Sequence, residues 1–200
     1  MNDHRGFSLP NLLLWLTLGS LITLASLGAV SQLIYQAKQQ YQRYYLTYTL
    51  QQHLNKMAIL LKRAGFLYRA NARQSAQIIR PLPAPLVIGH YPGEPAASCL
   101  LLYYDRNRNG LIGSSHRPAL AMTMGYRLRQ GNLETQQGIT ACHSRGWEDL
   151  VDEQVITVQR FQVLQPLGAS WVELTLQACL TRQPQVIQRL HAVIQLENSR

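Results

Sequence analysis

The most constraining feature of this chain is a long uncharged stretch near its start, from Gly6 to Ala37. A helix needs about 20 consecutive apolar residues to cross the hydrocarbon core of a bilayer, and this stretch is longer. It is also longer than the hydrophobic region of a secretory signal peptide, which runs about 7–15 residues. No A-x-A-like cleavage site follows it cleanly. We therefore expect the segment to remain in the mature protein as a membrane-spanning helix.

Charge alone leaves the orientation of this span undecided. Arg5 precedes it, and Lys38 and Arg43 follow it, so the positive-inside rule favours neither direction. An alternative interpretation of the whole segment is a generic signal anchor in which Gly6 and Phe7 are adjacent by chance.

The residues just before the span suggest how the chain is processed. Arg5-Gly6-Phe7-Ser8-Leu9 directly precedes the apolar run, and this arrangement resembles the processing site of type IV prepilins. In that family a membrane peptidase cuts after the Gly of a short polar leader and methylates the new N-terminal Phe. The resemblance implies a leader at 1–6, cleavage between Gly6 and Phe7, and N-methylation of Phe7. It also implies an inner-membrane protein with a periplasmic C-terminal head. Its partners would be prepilin peptidase and other minor and major pilins.

The fifth position of the mature chain departs from the family pattern. Pilins usually have Glu there, thought to pair with the N-terminal amine of a neighbouring subunit, whereas this chain has Asn11. A charge buried in an apolar bundle needs such a partner. Asn11 can accept a hydrogen bond but cannot neutralise the amine. The resemblance makes Asn11 a subunit-contact residue, either in a subunit at the filament tip or at a position that has drifted.

Helical periodicity continues beyond the span. Apolar and aromatic residues recur at three- or four-residue steps up to Ala64, and Gly65 follows two basic residues, which predicts a helix end. We expect a membrane helix at 7–31 and its periplasmic continuation at 32–65. The tyrosines at positions 41, 44 and 48 are interpreted as part of the face that packs against a globular head.

The remainder, 66–200, is predicted to form that head. Pro81-Leu82-Pro83-Ala84-Pro85 is predicted to be an extended connection that excludes helix, and strand-like segments follow. These segments are Cys99–Tyr104, Met122–Arg129, Leu133–Gln137, Val155–Gln165, Trp171–Leu180 and Val186–Leu196. The last two alternate between apolar and polar residues, as in an antiparallel sheet with one buried face. The predicted fold class is α+β, a long N-terminal helix packed on an antiparallel sheet, the order found in pilins.

Local segments narrow the resemblance to the prepilin peptidase-dependent protein B group, which is related to the J-type minor pseudopilins of type II secretion. The segments are Leu61–Gly65, Cys99–Asp105, Arg106–Gly110, Gly125–Leu128 before Cys142, and Gly146-Trp147 after it. The resemblance covers most of the chain. It implies a minor pilin or pseudopilin that helps to initiate or cap a type IV pilus or a type II secretion-like filament.

A possible calcium loop begins at Asp105. Asp105, Asn107 and Asn109, followed by Gly110, match the D-x-N-x-N-G start of an EF-hand loop. The twelfth position should be Glu but is His116, and Asp105 would be the only carboxylate ligand. An Asx-stabilised turn explains the same residues. Calcium is therefore a candidate cofactor, which some pseudopilin heads bind.

The three cysteines, Cys99, Cys142 and Cys179, are far apart and form no C-x-x-C pair, which argues against a zinc site. We favour a Cys99–Cys142 disulfide, because Cys99 opens a predicted strand and Cys142 lies in a predicted loop that the bond would hold. Sequence leaves three pairings open, and three buried free thiols are the alternative.

The formal net charge is +9, and the simplest explanation is that this charge keeps the head soluble. It keeps open a second hypothesis, a tip subunit that contacts DNA in an uptake filament. A third hypothesis, a membrane-anchored enzyme, lacks support from any H-E-x-x-H, G-x-S-x-G or P-loop motif. We therefore expect a non-enzymatic protein.

Overall fold

The structure is a computed structural model that describes residues 8–68, 84–106, 108 and 123–198. The chain divides into two compact units, Met1–Tyr44 and Tyr45–Arg200. The boundary between them falls inside one continuous helix, α1 (Leu9–Arg63).

Both ends of α1 follow from local sequence. At its start, the carbonyl oxygen of Ser8 accepts the N–H of Asn11 at 3.0 Å, and Pro10 lies in the first turn, where a missing N–H costs little. At its end, Gly65 takes a left-handed conformation with φ of 77° and donates its N–H to the carbonyl oxygen of Tyr103 at 2.8 Å. A Cβ at Gly65 would lie 2.7 Å from the carbonyl oxygen of Asn198. The predicted helix end is therefore confirmed, and the backbone there requires glycine.

Eight strands form two antiparallel sheets within the described residues. The first sheet has the order β1-β2-β3-β4-β5, and the second has the order β6-β7-β8. The strands are β1 (Leu86–Gly89), β2 (Cys99–Tyr103), β3 (Thr123–Arg129), β4 (Asn132–Gln137), β5 (Glu148–Asp149), β6 (Ile156–Leu164), β7 (Trp171–Leu180) and β8 (Gln183–Gln195). In both sheets, neighbours in space are neighbours in the chain.

Each strand that was predicted from the sequence is present, with shifts of up to three residues at its ends. Strands β3 and β4 form a hairpin. Its two turn residues, Gln130 and Gly131, have φ of 49° and 81°, as a type I′ turn requires. The short strands β1 and β5 were not predicted, because two- and four-residue segments carry too little alternation to be recognised.

The two sheets are joined through β6. The N–H of Val158 donates to the carbonyl oxygen of Gly131 at 2.7 Å, and the N–H of Val163 donates to that of Ala97 at 2.9 Å. These bonds tie the second sheet to the β3–β4 turn and to the segment before β2. The predicted fold class, a long helix packed on an antiparallel β head, is thus confirmed, and the strands of the head are divided between two connected sheets.

The distal part of α1 and both sheets share one hydrophobic core. The helix and the residue that follows it contribute side chains spaced three or four apart, namely Leu46, Leu50, Leu54, Met57, Leu61 and Ala64. The first sheet adds residues such as Leu100 and Leu128. The second adds Phe161 and the alternating residues of β7, as the sequence predicted. Fully burying one such side chain stabilises the fold by about 1.5–3 kcal/mol.

The predicted tyrosine face of α1 is wrong. Tyr41, Tyr44 and Tyr48 are exposed, as is Tyr45 beside them. At 3.6 residues per turn, these tyrosines lie about half a turn around the helix from the buried leucines. Aliphatic residues occupy the core side because a close-packed interior favours side chains without a polar atom to satisfy, whereas a tyrosine hydroxyl needs a partner when it is buried.

Candidate functional site

The first candidate site is the N-terminal part of α1. Every side chain from Ser8 to Tyr41 is exposed, although the segment is rich in leucine. The helix is long and apolar enough to cross a membrane. Such a surface must be covered by lipid or by other helices, because water disfavours a contiguous apolar surface of this size. The segment is thus consistent with a membrane anchor.

Five hydroxyl side chains of this segment are compatible with a lipid environment. Thr17, Ser20, Thr23, Ser26 and Ser31 each donate their hydroxyl to a backbone carbonyl three or four residues earlier, at 2.7–3.0 Å. In hydrocarbon an unpaired polar group costs several kcal/mol, so these internal bonds remove a barrier to insertion.

Of the predicted processing and contact residues, Asn11 lies within the described part of the chain. Gly6 and Phe7 lie outside the described residues. Asn11 is in the first turn of α1, with its side chain exposed. An exposed carboxamide at this position can donate and accept hydrogen bonds with a neighbouring helix. The role of Asn11 as a subunit contact stays a prediction.

A second feature lies on the face of the first sheet that points away from the main core. Cys99 on β2 and Cys142 in the loop after β4 form a disulfide, with their Cα atoms 6.1 Å apart. Leu101 and Ile139 are buried beside it, and Trp147 packs against the cluster. The bond holds the loop against the sheet. The third cysteine, Cys179 on β7, is a buried free thiol.

The buried side chain of Arg127 on β3 holds the same loop by hydrogen bonds. It is 1% exposed and donates its Nε–H to the Glu134 carboxylate at 2.5 Å. Another nitrogen of its guanidinium donates to the carbonyl oxygens of Cys142 and Ser144. The ring centroid of Trp147 lies 4.3 Å from its Cζ. The buried charge is therefore paired, hydrogen-bonded and in contact with an aromatic ring, as a buried guanidinium requires.

The third feature is the chain after β2, where the calcium loop was predicted. Asp105 is buried, and its Oδ2 accepts the N–H of Tyr68 at 3.2 Å. Asn107 and Asn109 lie outside the described residues. Arg106 and Arg108 follow Asp105 in the chain, and all three line one cavity together with Arg63. Calcium stays a prediction, and the positive charges around the single carboxyl group disfavour a divalent cation.

Burial shifts the pKa of several titratable groups in the described residues. Burial, followed by the positive charge of Lys56, lowers the pKa of His53 on α1. Burial, followed by Tyr104, raises the pKa of Tyr126 to about 12, so its hydroxyl stays protonated at neutral pH. Among the described residues, no three of His, Cys, Asp and Glu lie close enough together to hold a metal ion.

Sequence reasoning missed Arg127 and the arginines around Asp105. Arg127 could have been noticed, because it is an arginine within a predicted strand of mostly buried residues. Its opposite partner, Glu134, follows from the hairpin register. Arg63 and Arg106 are far apart in the chain, and no local pattern brings them together.

These features define a class of protein. A long N-terminal apolar helix that packs its distal part against antiparallel sheets is a pilin-like α+β fold. The family model for prepilin peptidase-dependent protein B matches residues 39–196. The chain therefore belongs to the prepilin peptidase-dependent protein B family.

A curated relative agrees with this assignment. The chain is 23% identical over 161 residues to prepilin peptidase-dependent protein B of Escherichia coli (strain K12). The aligned region covers 80% of this chain and 78% of that protein. No solved structure matches the chain significantly. The matched family range begins at Gln39, after the apolar stretch, so the assignment and the properties of the N-terminal helix are separate observations.

Proposed function

We propose that this chain is a minor pilin or pseudopilin subunit, cleaved between Gly6 and Phe7 by a prepilin peptidase. One observation carries the proposal: a single helix is apolar and exposed at its start, yet is buried under the head at its end. Such a helix can stay in the inner membrane and later exchange lipid contacts for contacts with other apolar helices. Membership of a prepilin peptidase-dependent family supports the processing step.

In this proposal the protein is not a catalyst. It helps to initiate or cap a type IV pilus or a type II secretion-like filament, and its head contacts neighbouring subunits in the periplasm. Asn11 contacts a neighbouring helix without neutralising a charge. Asn in place of the usual Glu is tolerated in a subunit at the filament tip, because no subunit above it supplies an amine to neutralise. The alternative is that this sequence position has drifted.

Processing is tested by co-expressing the full-length chain with a prepilin peptidase and measuring its intact mass. We expect loss of Met1–Gly6 and gain of one methyl group. A Gly6→Glu variant should stay uncut. Gly19→Ala is the matched control, because a Cβ at Gly19 meets nothing within 4 Å, and it should be cut normally. An uncut wild-type chain beside a prepilin that is cut would refute the proposed processing.

Subunit contact is tested with a photo-crosslinking amino acid at position 11. In cells that assemble the filament, we expect more crosslinks to other pilins from position 11 than from the same group at Arg182, in the turn between β7 and β8 of the head. Crosslinks from position 182 but none from position 11 would contradict a helix-mediated contact.

A further inference from the structure

A basic cavity lies where the end of α1 meets the chain that leaves β2. Its volume is about 230 Å³, several times the roughly 30 Å³ that one water molecule takes in the liquid. Its described lining residues are Arg63, Phe66, Tyr104, Asp105, Arg106 and Arg108. From this cluster we propose an oxyanion-binding site, for a ligand that carries a carboxylate or phosphate group. The proposal is independent of the filament role.

The backbone around the cavity is fixed by hydrogen bonds. The N–H of Gly65 donates to the carbonyl oxygen of Tyr103 at 2.8 Å, and that of Asp105 donates to the carbonyl oxygen of Phe66 at 2.8 Å. The carboxyl group of Asp105 accepts the N–H of Tyr68. These bonds therefore hold the turn after α1 against the chain after β2, next to Arg63 and Arg106.

The charges around the cavity are unbalanced. Among the described lining residues, three positively charged guanidinium groups stand against the one carboxyl group of Asp105. Arg106 donates one N–H to Gln137 Oε1 at 2.6 Å, but this partner is a neutral amide and leaves the charge uncompensated. Among the described residues, neither Arg63 nor Arg108 has an ion-pair partner. An anion supplies the charge that the cavity lacks.

The position of Arg63 is not accounted for by the helix end alone. Basic residues near a helix C-terminus commonly bind its last carbonyl groups. Here the carbonyl oxygen of Lys62 accepts the side-chain amide of Asn198 at 3.1 Å, and that of Arg63 accepts the N–H of Phe66 at 2.9 Å. These carbonyls already have partners, so the Arg63 guanidinium is available to a ligand.

Arg108 provides an independent indication. Its φ is 56°, a left-handed conformation that favours glycine or asparagine and is uncommon for arginine. Strained residues of this kind cluster at binding sites, where the side chain matters more than local stability. Arginine also suits the ligand, because its planar fork pairs with two oxygens of a carboxylate or phosphate.

The test is calorimetric titration of the full-length protein, in an uncharged detergent at low salt, with two probes. Inorganic phosphate represents a free or esterified phosphate, and succinate represents carboxylates such as acidic side chains of a partner. We expect saturable binding of at least one probe. The tighter probe identifies the source of the oxyanion. No saturable binding of either probe by the folded protein would overturn the proposal.

Variants show whether the cavity is responsible. The triple change Arg63→Gln, Arg106→Gln and Arg108→Gln should weaken binding at least about tenfold, because hydrogen bonds to charged groups are lost. The control changes three exposed arginines of the second sheet, Arg160→Gln, Arg182→Gln and Arg189→Gln, and removes the same charge. Equal weakening by both triples would show general charge attraction and refute a specific site.

A single substitution keeps the proposal testable if the triple variant does not fold. Arg108→Asn places a residue that tolerates the left-handed conformation at the strained position. We expect its melting temperature to equal or exceed that of the wild type, while the better-binding probe binds more weakly. A stable Arg108→Asn protein that binds this probe as tightly as the wild type would contradict a role for Arg108.

Discussion

Arg127 shows how a single residue can decide the conformation of a loop in this head. Its guanidinium is shielded from water and bonded to Glu134, and it also holds two carbonyl oxygens of the loop that contains Cys142. A buried charge is costly when it is alone, so each member of the pair depends on the other. The disulfide and this arginine fasten the same loop by different chemistry, one covalent and one electrostatic.

The dependence of the pair can be measured with a double-mutant cycle. Arg127→Met leaves the buried Glu134 carboxyl group with only the more distant Arg129, whose Nη1 lies 4.0 Å from its Oε1. We expect a loss of about 3–5 kcal/mol in the free energy of unfolding. Adding Glu134→Met removes the stranded group, so the double variant should be less destabilised than the sum of the two single changes. Thermal unfolding followed by near-ultraviolet circular dichroism measures this, and strictly additive effects would contradict the coupling.

At the scale of the element, α1 has two distinct faces in its distal half. Leu50 and its neighbours one turn away are completely or almost completely buried, whereas Tyr41 is 68% exposed. The helix therefore derives its attachment to the head from aliphatic packing on one face only.

A pair of substitutions tests this assignment. Leu50→Ala should lower the free energy of unfolding by about 2–5 kcal/mol, because it leaves a cavity between the helix and the sheets. Tyr41→Ala should change it by no more than about 0.5 kcal/mol, because the ring is exposed and alanine favours helix. Thermal unfolding of the full-length chain in detergent measures both. A larger loss in the free energy of unfolding for Tyr41→Ala than for Leu50→Ala would indicate that the tyrosine face packs against the head.

The elements also show how far sequence could predict this fold. The end of α1 was predictable because Gly65 follows Lys62 and Arg63, and the β7 strand was predictable because its apolar residues alternate. The way the two sheets are joined was not, because it depends on bonds between distant backbone groups, such as Val163 and Ala97. The basic cavity was not either, since Arg63 and Arg106 meet only in the folded chain. The cysteine pairing was one of three, and the structure has the favoured one.

At the scale of the whole molecule, the helix and the head make different demands on their surroundings. The start of α1 favours an apolar environment, whereas the head carries a disulfide, and disulfides form and persist mainly in oxidising compartments. Both demands are met if the helix lies in the inner membrane and the head lies in the periplasm. The net charge of +9 is compatible with this arrangement, and DNA contact stays a prediction that salt-dependent binding of the protein would test.

The disulfide can report which side of the membrane the head occupies, independently of any family resemblance. Cells are lysed in acid to trap thiols, and the denatured protein is labelled with a heavy maleimide. If the head is periplasmic, only Cys179 is labelled, and the full-length chain shifts by one adduct.

A chain that begins at Gln39 lacks the apolar segment and stays in the reducing cytosol, so it should gain three adducts. A Cys179→Ser variant should gain none in the full-length form and two in the truncated form. Three adducts on the membrane-bound full-length chain would place the head in the cytosol, and a filament subunit with that orientation could not deliver its head to the periplasm.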